Sequence, residues 1–359
     1  MKCCVECFID IEIKSRITGL KQVGNCNICE AENVFVYDTH LLSDDFEALL
    51  DTYKPESILP DTFPKELLKL LKDELVENWN IFNLDSDRVD KLIKVICQSK
   101  YKEEPELFEQ KIGISQKCDP QYLEQYSLLG KYSWESFAES IKLKNRFHSK
   151  QLNTSVFLDF LNYLRKPYKK GSVFYRARIS NSSMGYRKEE MFAPQPGQAS
   201  AGRVNPEGIS YLYLGSDKTT TLNEVRAGLH DFVSIATFKL NQDIDVVDLT
   251  RIDKISAFSR LNPTQHAVNR THLVKMSRDI AKPLRRQDSH LEYLPTQYLC
   301  EFIKMSRFND GTECSGIEYG STMSKEGYNI AMFNSELFEC IEVDVYDVQG
   351  LKYTVDPSL

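Results

Sequence analysis

Four cysteines restrict this chain before any periodicity is read. Cys4 and Cys7 form one Cys-x2-Cys pair, Cys26 and Cys29 form another, and eighteen residues separate the pairs. That spacing matches the two halves of a four-cysteine zinc site. Zinc takes four thiolates at about 2.3 Å in a tetrahedron, and two short turns brought together supply that geometry. The first pair therefore has to fold back onto the second. Residues 8–17 suit a short extended or helical piece between them, and Gly24 permits the second turn. Cys3 leaves the register of the first pair open between Cys3 and Cys4. A closed four-thiolate site keeps no open coordination position, so the expected zinc is structural. A redox pair is the lesser alternative.

The rest of the composition bounds the class. With 359 residues and 42% hydrophobic content, the chain is long enough for two or three domains with their own cores. Ten cysteines are too sparse for a disulfide scaffold, and five of them fall in the first 29 residues. That usage fits metal binding in a reducing cytosol, so a cytoplasmic location is expected. No run of about 18 apolar residues marks a membrane span. The first residues carry cysteines where a signal peptide would carry an apolar segment. A net charge of −7 argues against non-specific nucleic-acid binding.

Residues 60–166 carry a helical pattern. Leu67, Leu68, Leu71 and Leu75 follow Pro64 at helical spacing. Ser86 or Asp87 is placed to cap a helix carrying Val89, Leu92, Ile93 and Ile96. Ser133 opens one with Phe137 and Ile141, and Ser155 opens another that Pro167 should stop. Residues 100–120 are charged and read as a loop with at most a short helix. A helical RNase of the HEPN type needs Arg followed four to six residues later by His. Arg146 and His148 are too close for that, so this region reads as structural or regulatory.

After Gly171 the composition changes. Residues 172–178 alternate as a strand, with Phe174, Arg176 and Arg178 on one face. Two arginines on one strand face are either solvated edge charges or an anion clamp, since guanidinium matches phosphate oxygens two at a time. Residues 180–204 form a long polar loop. Gly202-Arg203-Val204-Asn205-Pro206-Glu207-Gly208 then leads into a strand at Tyr211-Leu212-Tyr213-Leu214 and a helix start at Thr219-Thr220-Thr221. Glu224 stands three residues after Thr221, the spacing of a capping box, so it is either a cap or a carboxylate aimed at a ligand. Further on, residues 231–240 and 245–249 read as strands, 274–286 as a helix broken at Pro283, and 296–308 as a helix. Residues 316–321 and 328–333 read as short strands, and 340–355 as a hairpin turning at Gln349-Gly350.

These blocks resemble the RES domain, a family named for an arginine, a glutamate and a serine. The matching pieces are Phe174-Tyr-Arg-Ala-Arg178, Gly202 to Gly208, Tyr211 to Leu214 with Glu224-Val225, Pro295-Thr-Gln-Tyr298 with Glu301, and Gly316-Ile-Glu-Tyr-Gly-Ser321 with Asn329 to Phe333. The preceding half resembles the zinc-knuckle and HEPN-like extension carried by some RES proteins. The expected organisation is α+β in three parts: a zinc knuckle at 1–40, a helical module at 41–168, and a RES domain at 169–359. The resemblance implies a split, mostly antiparallel sheet like that of ADP-ribosyltransferases, with NAD in its cleft.

It further implies a toxin that breaks the bond between nicotinamide and ribose by hydrolysis or phosphorolysis. Phosphate is then a co-substrate, and a cognate antitoxin or trigger protein is a partner. Position by position, Arg176 and Arg203 would bind phosphates, Tyr213 with its neighbour Tyr211 would orient the substrate, and Arg178 would support them. Glu224 would be the catalytic carboxylate, and Ser321 would hold Glu224 or the ribose. Transfer of ADP-ribose to a protein or nucleic acid is the alternative within the same chemistry. A zinc-dependent, non-catalytic partner-binding protein is the alternative from another class.

Overall fold

The computed structural model describes residues 1–282, 290–321 and 327–351. The chain groups into two compact units, Met1–Lys131 with Lys254–His272, and Tyr132–Asp253 with Leu273–Leu359. This grouping cuts the chain at other places than the three-part division read from the sequence.

In the first unit, strands Lys2–Cys4, Val34–Asp38 and Val23–Gly24 make an antiparallel sheet. Helix Ile11–Gly19 opens on Asp10, whose carboxylate accepts the backbone N–H groups of Glu12 and Ile13. The cysteine-bearing segment has no core of its own. Cys3, Cys4, Cys7 and Phe8 belong to one buried cluster with Phe46, Phe82, Leu92 and Ile112. The helix expected after Pro64 is broken up. Lys69–Leu70 pairs as a strand with residues 111–112, a π turn follows at Glu74–Asn78, and Leu68 packs in a small cluster with Leu59 and Phe63. Helix Ser86–Ile96 forms as its apolar spacing predicts, capped by Asp85. Residues 98–109 form two short helices where a loop was expected.

The second unit is built on one eight-stranded sheet. Its strands in chain order are β1 (Arg165–Tyr168), β2 (Val173–Ser180), β3 (Leu212–Gly215), β4 (Phe232–Leu240), β5 (Ile244–Asp248), β6 (Gly316–Gly320), β7 (Tyr328–Met332) and β8 (Phe338–Asp347). Their spatial order is β8-β4-β2-β3-β7-β6-β5-β1. Every pairing is antiparallel except β5 with β6. One face buries Phe174, Leu212, Leu214, Phe238, Ile330 and Met332 under Met191 from the long polar loop. Helix α1 (Lys218–Val225) lies on the other face, with Leu222 and Val225 against Ala177, Val233 and Ile235. The sheet is split at one place. Strands β2 and β3 share a single register pair, Tyr175 with Gly215, whereas β2 and β4 pair over eight residues each.

Two sequence expectations change here. Pro167 stops no helix: Thr154–Tyr163, capped by Asn153, ends before it, and Pro167 sits inside edge strand β1 where a missing N–H costs nothing. The helix expected from 274 starts at Pro263 and runs to Ala281, and Pro283 lies outside the described residues. The first arm of the expected terminal hairpin is β8, which pairs with β4. The expected second arm, from residue 352 onward, also lies outside the described residues.

Candidate functional site

The sulfurs of Cys4, Cys7, Cys26 and Cys29 all lie within 4.8 Å of one another. The Cys4–Cys7, Cys4–Cys29 and Cys7–Cys26 Sγ separations are 3.7, 3.4 and 3.6 Å. A tetrahedron with bonds of about 2.3 Å has edges of roughly 3.8 Å, so the four sulfurs fit zinc. In the second turn, Cys26 Sγ accepts the backbone N–H groups of Ile28 and Cys29 at 3.4 and 3.5 Å. Those bonds, against the opposing effect of burial, hold the Cys26 thiol below its ordinary value. Burial pushes Cys4 up to about 11 and Cys7 higher, so a cation among them is what favours their thiolates. Cys3 is not a ligand: its thiol donates to the Tyr37 carbonyl.

In the second unit, Glu224 is not a cap. Helix α1 begins on Asp217, whose carboxylate accepts the Thr220 N–H at 2.8 Å, so none of Thr219, Thr220 and Thr221 is its N-cap. Glu224 is the penultimate residue of the helix, which ends at Arg226 with φ 51°. The C-terminal end of a helix carries partial negative charge, so a carboxylate there gains nothing from the helix dipole. Glu224 is held instead by two side chains, Ser321 just past the end of β6 and Asn329 on the adjacent β7. Its Oε1 accepts the Ser321 hydroxyl at 2.6 Å and the Asn329 amide at 2.8 Å. Glu224 is itself exposed, which leaves the carboxylate reachable by a ligand.

Arg176 lies where the sheet splits. Its Nη1 reaches the Tyr213 carbonyl at 3.4 Å, and its Nε is buried without a hydrogen-bond partner. Burial pulls its guanidinium down from 12.5 to about 10, and Arg178 adds a like charge. No carboxylate pairs with it among the described residues. The hydroxyl of Tyr319, on β6, is pushed up by burial, with Arg203 opposing that push and Glu224 adding to it. Tyr213 is raised by burial too, and Tyr319 and Arg203 are both within electrostatic reach of it. Tyr319 and Tyr213 thus link the neighbourhoods of Arg176, Arg203 and Glu224.

The glycine-rich segment is clamped from helix α2 (Leu294–Met305). Gln297 Nε2 donates to the carbonyls of Gly202 at 2.7 Å and Asn205 at 3.0 Å, and the Thr296 hydroxyl donates to the Arg203 carbonyl at 2.8 Å. Asn205 is buried, donates through Nδ2 to the carbonyls of Ser200, Pro206 and Ile209, and accepts the Tyr213 hydroxyl. A Cβ on Gly202 would stand 2.5 Å from Asn205 Oδ1 and 2.8 Å from the Tyr213 hydroxyl, so only glycine fits this close approach. The Arg203 guanidinium itself donates to the Ile280 carbonyl, beside Asp279, Lys282 and Glu292.

A family model described as "RES domain" matches residues 173–356, just over half of the chain. The chain belongs to the RES domain family. No curated protein and no solved structure matches it. Within this RES domain, the residues expected from sequence divide by what they touch. Glu224 and Ser321 meet directly, and Arg176 meets Tyr213 through its backbone. Arg178 donates to the Glu190 carbonyl and lies 4.2 Å from the Tyr186 ring, so it pins the polar loop. Tyr211 is buried, donates to Glu301 at 2.6 Å and lies under Lys304, so it packs the core. Asn205, Thr296, Gln297 and Asn329 lie inside the motif blocks, but nothing in their spacing signals a role. Among the described residues no helix is long and apolar enough to cross a membrane.

Proposed function

We propose that this RES protein cleaves the nicotinamide–ribose bond of NAD, by hydrolysis or phosphorolysis. The observation that carries the reading is Glu224: an exposed carboxylate, uninvolved in capping, whose Oε1 is held by two donors while Oε2 accepts none among the described residues. Breaking this bond passes through an oxocarbenium-like state with positive charge on the ribose. A fixed carboxylate beside the ribose stabilises that state more than the ground state, which is what accelerates a reaction. The departing nicotinamide already leaves as a neutral ring from a cationic one, so no general acid is required.

Arg176 supports the same reading. A half-buried arginine whose Nε is buried without a partner and which has a like charge nearby is short of an anion, and a pyrophosphate would supply one. Arg203 would contribute a second cation from the clamped loop. Zinc, when bound by the four cysteines, would hold the first unit's fold together and take no part in the reaction. In cells the activity would deplete NAD and arrest growth unless a partner protein neutralises it.

The test is to incubate the full chain with NAD, with and without phosphate, and identify products by mass spectrometry. Free nicotinamide with ADP-ribose marks hydrolysis, and nicotinamide with a phosphorylated ADP-ribose marks phosphorolysis. ADP-ribose attached to a protein or nucleic acid would mark transfer. Intact NAD under all conditions would remove the proposal.

A further inference from the structure

We infer that Asn329 is a positioning residue for Glu224: it fixes Oε1 in place and thereby assigns Oε2 as the oxygen that meets the ribose. The inference rests on the reading of Glu224 as the carboxylate that acts on NAD, and extends it to a residue outside the arginine, glutamate and serine of the family's name.

A glutamate at the end of a helix has several rotatable bonds between its backbone and its carboxylate, and the helix restrains only the first of them. Something outside the helix has to select one arrangement. Ser321 donates to Oε1 at 2.6 Å, but it lies just past the end of β6, and a hydroxyl rotates to suit many acceptors. Asn329 donates at 2.8 Å from the interior of β7, is buried, and is in register with Tyr319 on one side and Gly215 on the other. A side chain anchored between two paired strands is the stiffer of the two donors. Its amide also stays a donor at every pH. Two donors on Oε1 use both lone pairs of that oxygen, and among the described residues Oε2 accepts no hydrogen bond. The charge that faces a developing cation is then concentrated on one oxygen whose position follows from β7.

Two features favour a positioning role over simple packing. The amide points at a side chain that is exposed, so the bond does little to bury Glu224. It also spans 105 residues of sequence to reach the one carboxylate that the helix cannot hold by itself.

The test compares the full chain with Asn329→Ala, Asn329→Leu, Glu224→Gln and the double variant Asn329→Leu/Glu224→Gln in steady-state NAD cleavage, each checked by thermal melting. Displacing a reacting group by about an ångström can cost on the order of 10²-fold, so both Asn329 variants should lose roughly 10- to 100-fold in kcat with KM within about two-fold. In the double variant the Asn329 change should add less than about two-fold to the loss from Glu224→Gln, because Asn329 acts only through the carboxylate. A structural role would leave the two losses multiplying. Leucine keeps the volume and alanine relieves any clash, so one of the pair is expected to fold. Wild-type kcat in the folded Asn329 variant, or multiplicative losses in the double variant, overturns the inference while Glu224→Gln is slow. Wild-type turnover in Glu224→Gln, or no NAD cleavage by the wild type, overturns the reading of Glu224 and the inference with it.

Discussion

Replacing Arg176 with Met should move stability and substrate affinity in opposite directions. The guanidinium gives the fold little: one 3.4 Å bond to the Tyr213 carbonyl, a buried Nε without a partner and a repelling Arg178. Its depression from 12.5 to about 10 means that the folded state disfavours the charge. For such a base the stability is highest above the unfolded value and is lost as pH falls through about 10, so at neutral pH the whole cost is present. At about 1.36 kcal/mol per decade the upper bound on that cost is roughly 3 kcal/mol. An apolar side chain of similar length removes it, as replacement of buried charges often does. Arg176→Met should therefore melt at the wild-type temperature or above it. The same change removes a charged hydrogen bond to the pyrophosphate, about 1.5–3 kcal/mol, which is roughly a 10- to 150-fold rise in KM for NAD. Lys should restore only part of this, because a point charge cannot make the two-oxygen fork. The assay is initial-rate NAD cleavage across substrate concentrations, with melting curves on the same samples. A variant that melts several degrees lower and keeps the wild-type KM would show that Arg176 serves the fold, and would refute this reasoning.

Metal analysis in reducing buffer should find one zinc per chain, and Cys26→Ser should lose it and melt the core that Cys4 and Cys7 share with Phe8 and Phe46, read as lost helical circular dichroism. Acidification should release the metal, because the thiols that burial holds high, Cys4 at about 11, regain their protons first; zinc-release titration with a chromophoric chelator checks this. Gly202→Ala should lower kcat/KM at least ten-fold, because the new Cβ meets Asn205 Oδ1 at 2.5 Å and the loop carrying Arg203 has to shift; Ser200→Ala beside it should stay near wild type in the same assay.

What the sequence made legible was local. The two cysteine pairs announced their site because each half is four residues long, although the choice between Cys3 and Cys4 needed the strand that turns Cys3 toward Tyr37. The alternation of residues 173–178 gave β2, and the motif blocks gave Arg176, Glu224 and Ser321 through their resemblance to a family. The cap of α1 is ambiguous in sequence, because three threonines offer plausible caps and Asp217, which caps the helix, stands just ahead of them. The irregular run from 65 to 78 has helical leucine spacing, but strand pairing with residues 111–112 outweighed that local preference. Long-range polar partners left no periodic signal. Gln297 reaches Asn205 across 92 residues and Asn329 reaches Glu224 across 105, and neither distance can be read from spacing. The family resemblance implies a split sheet, but its place between β2 and β3 is a tertiary fact: the two strands share one register pair, Tyr175 with Gly215.

The most direct measurement of the central claim is NAD turnover by Glu224→Gln beside the wild type. Glutamine keeps the shape of the side chain and removes its charge. Because Asp217 caps the helix and Glu224 sits at its other end, the change should leave the melting temperature within a degree or two. Loss of a carboxylate that stabilises an oxocarbenium-like state should slow turnover by roughly 10²- to 10³-fold while NAD binding changes little. A wild type that releases nicotinamide and a folded Glu224→Gln variant that barely does so is the result this account predicts. A glutamine variant with wild-type turnover would contradict it.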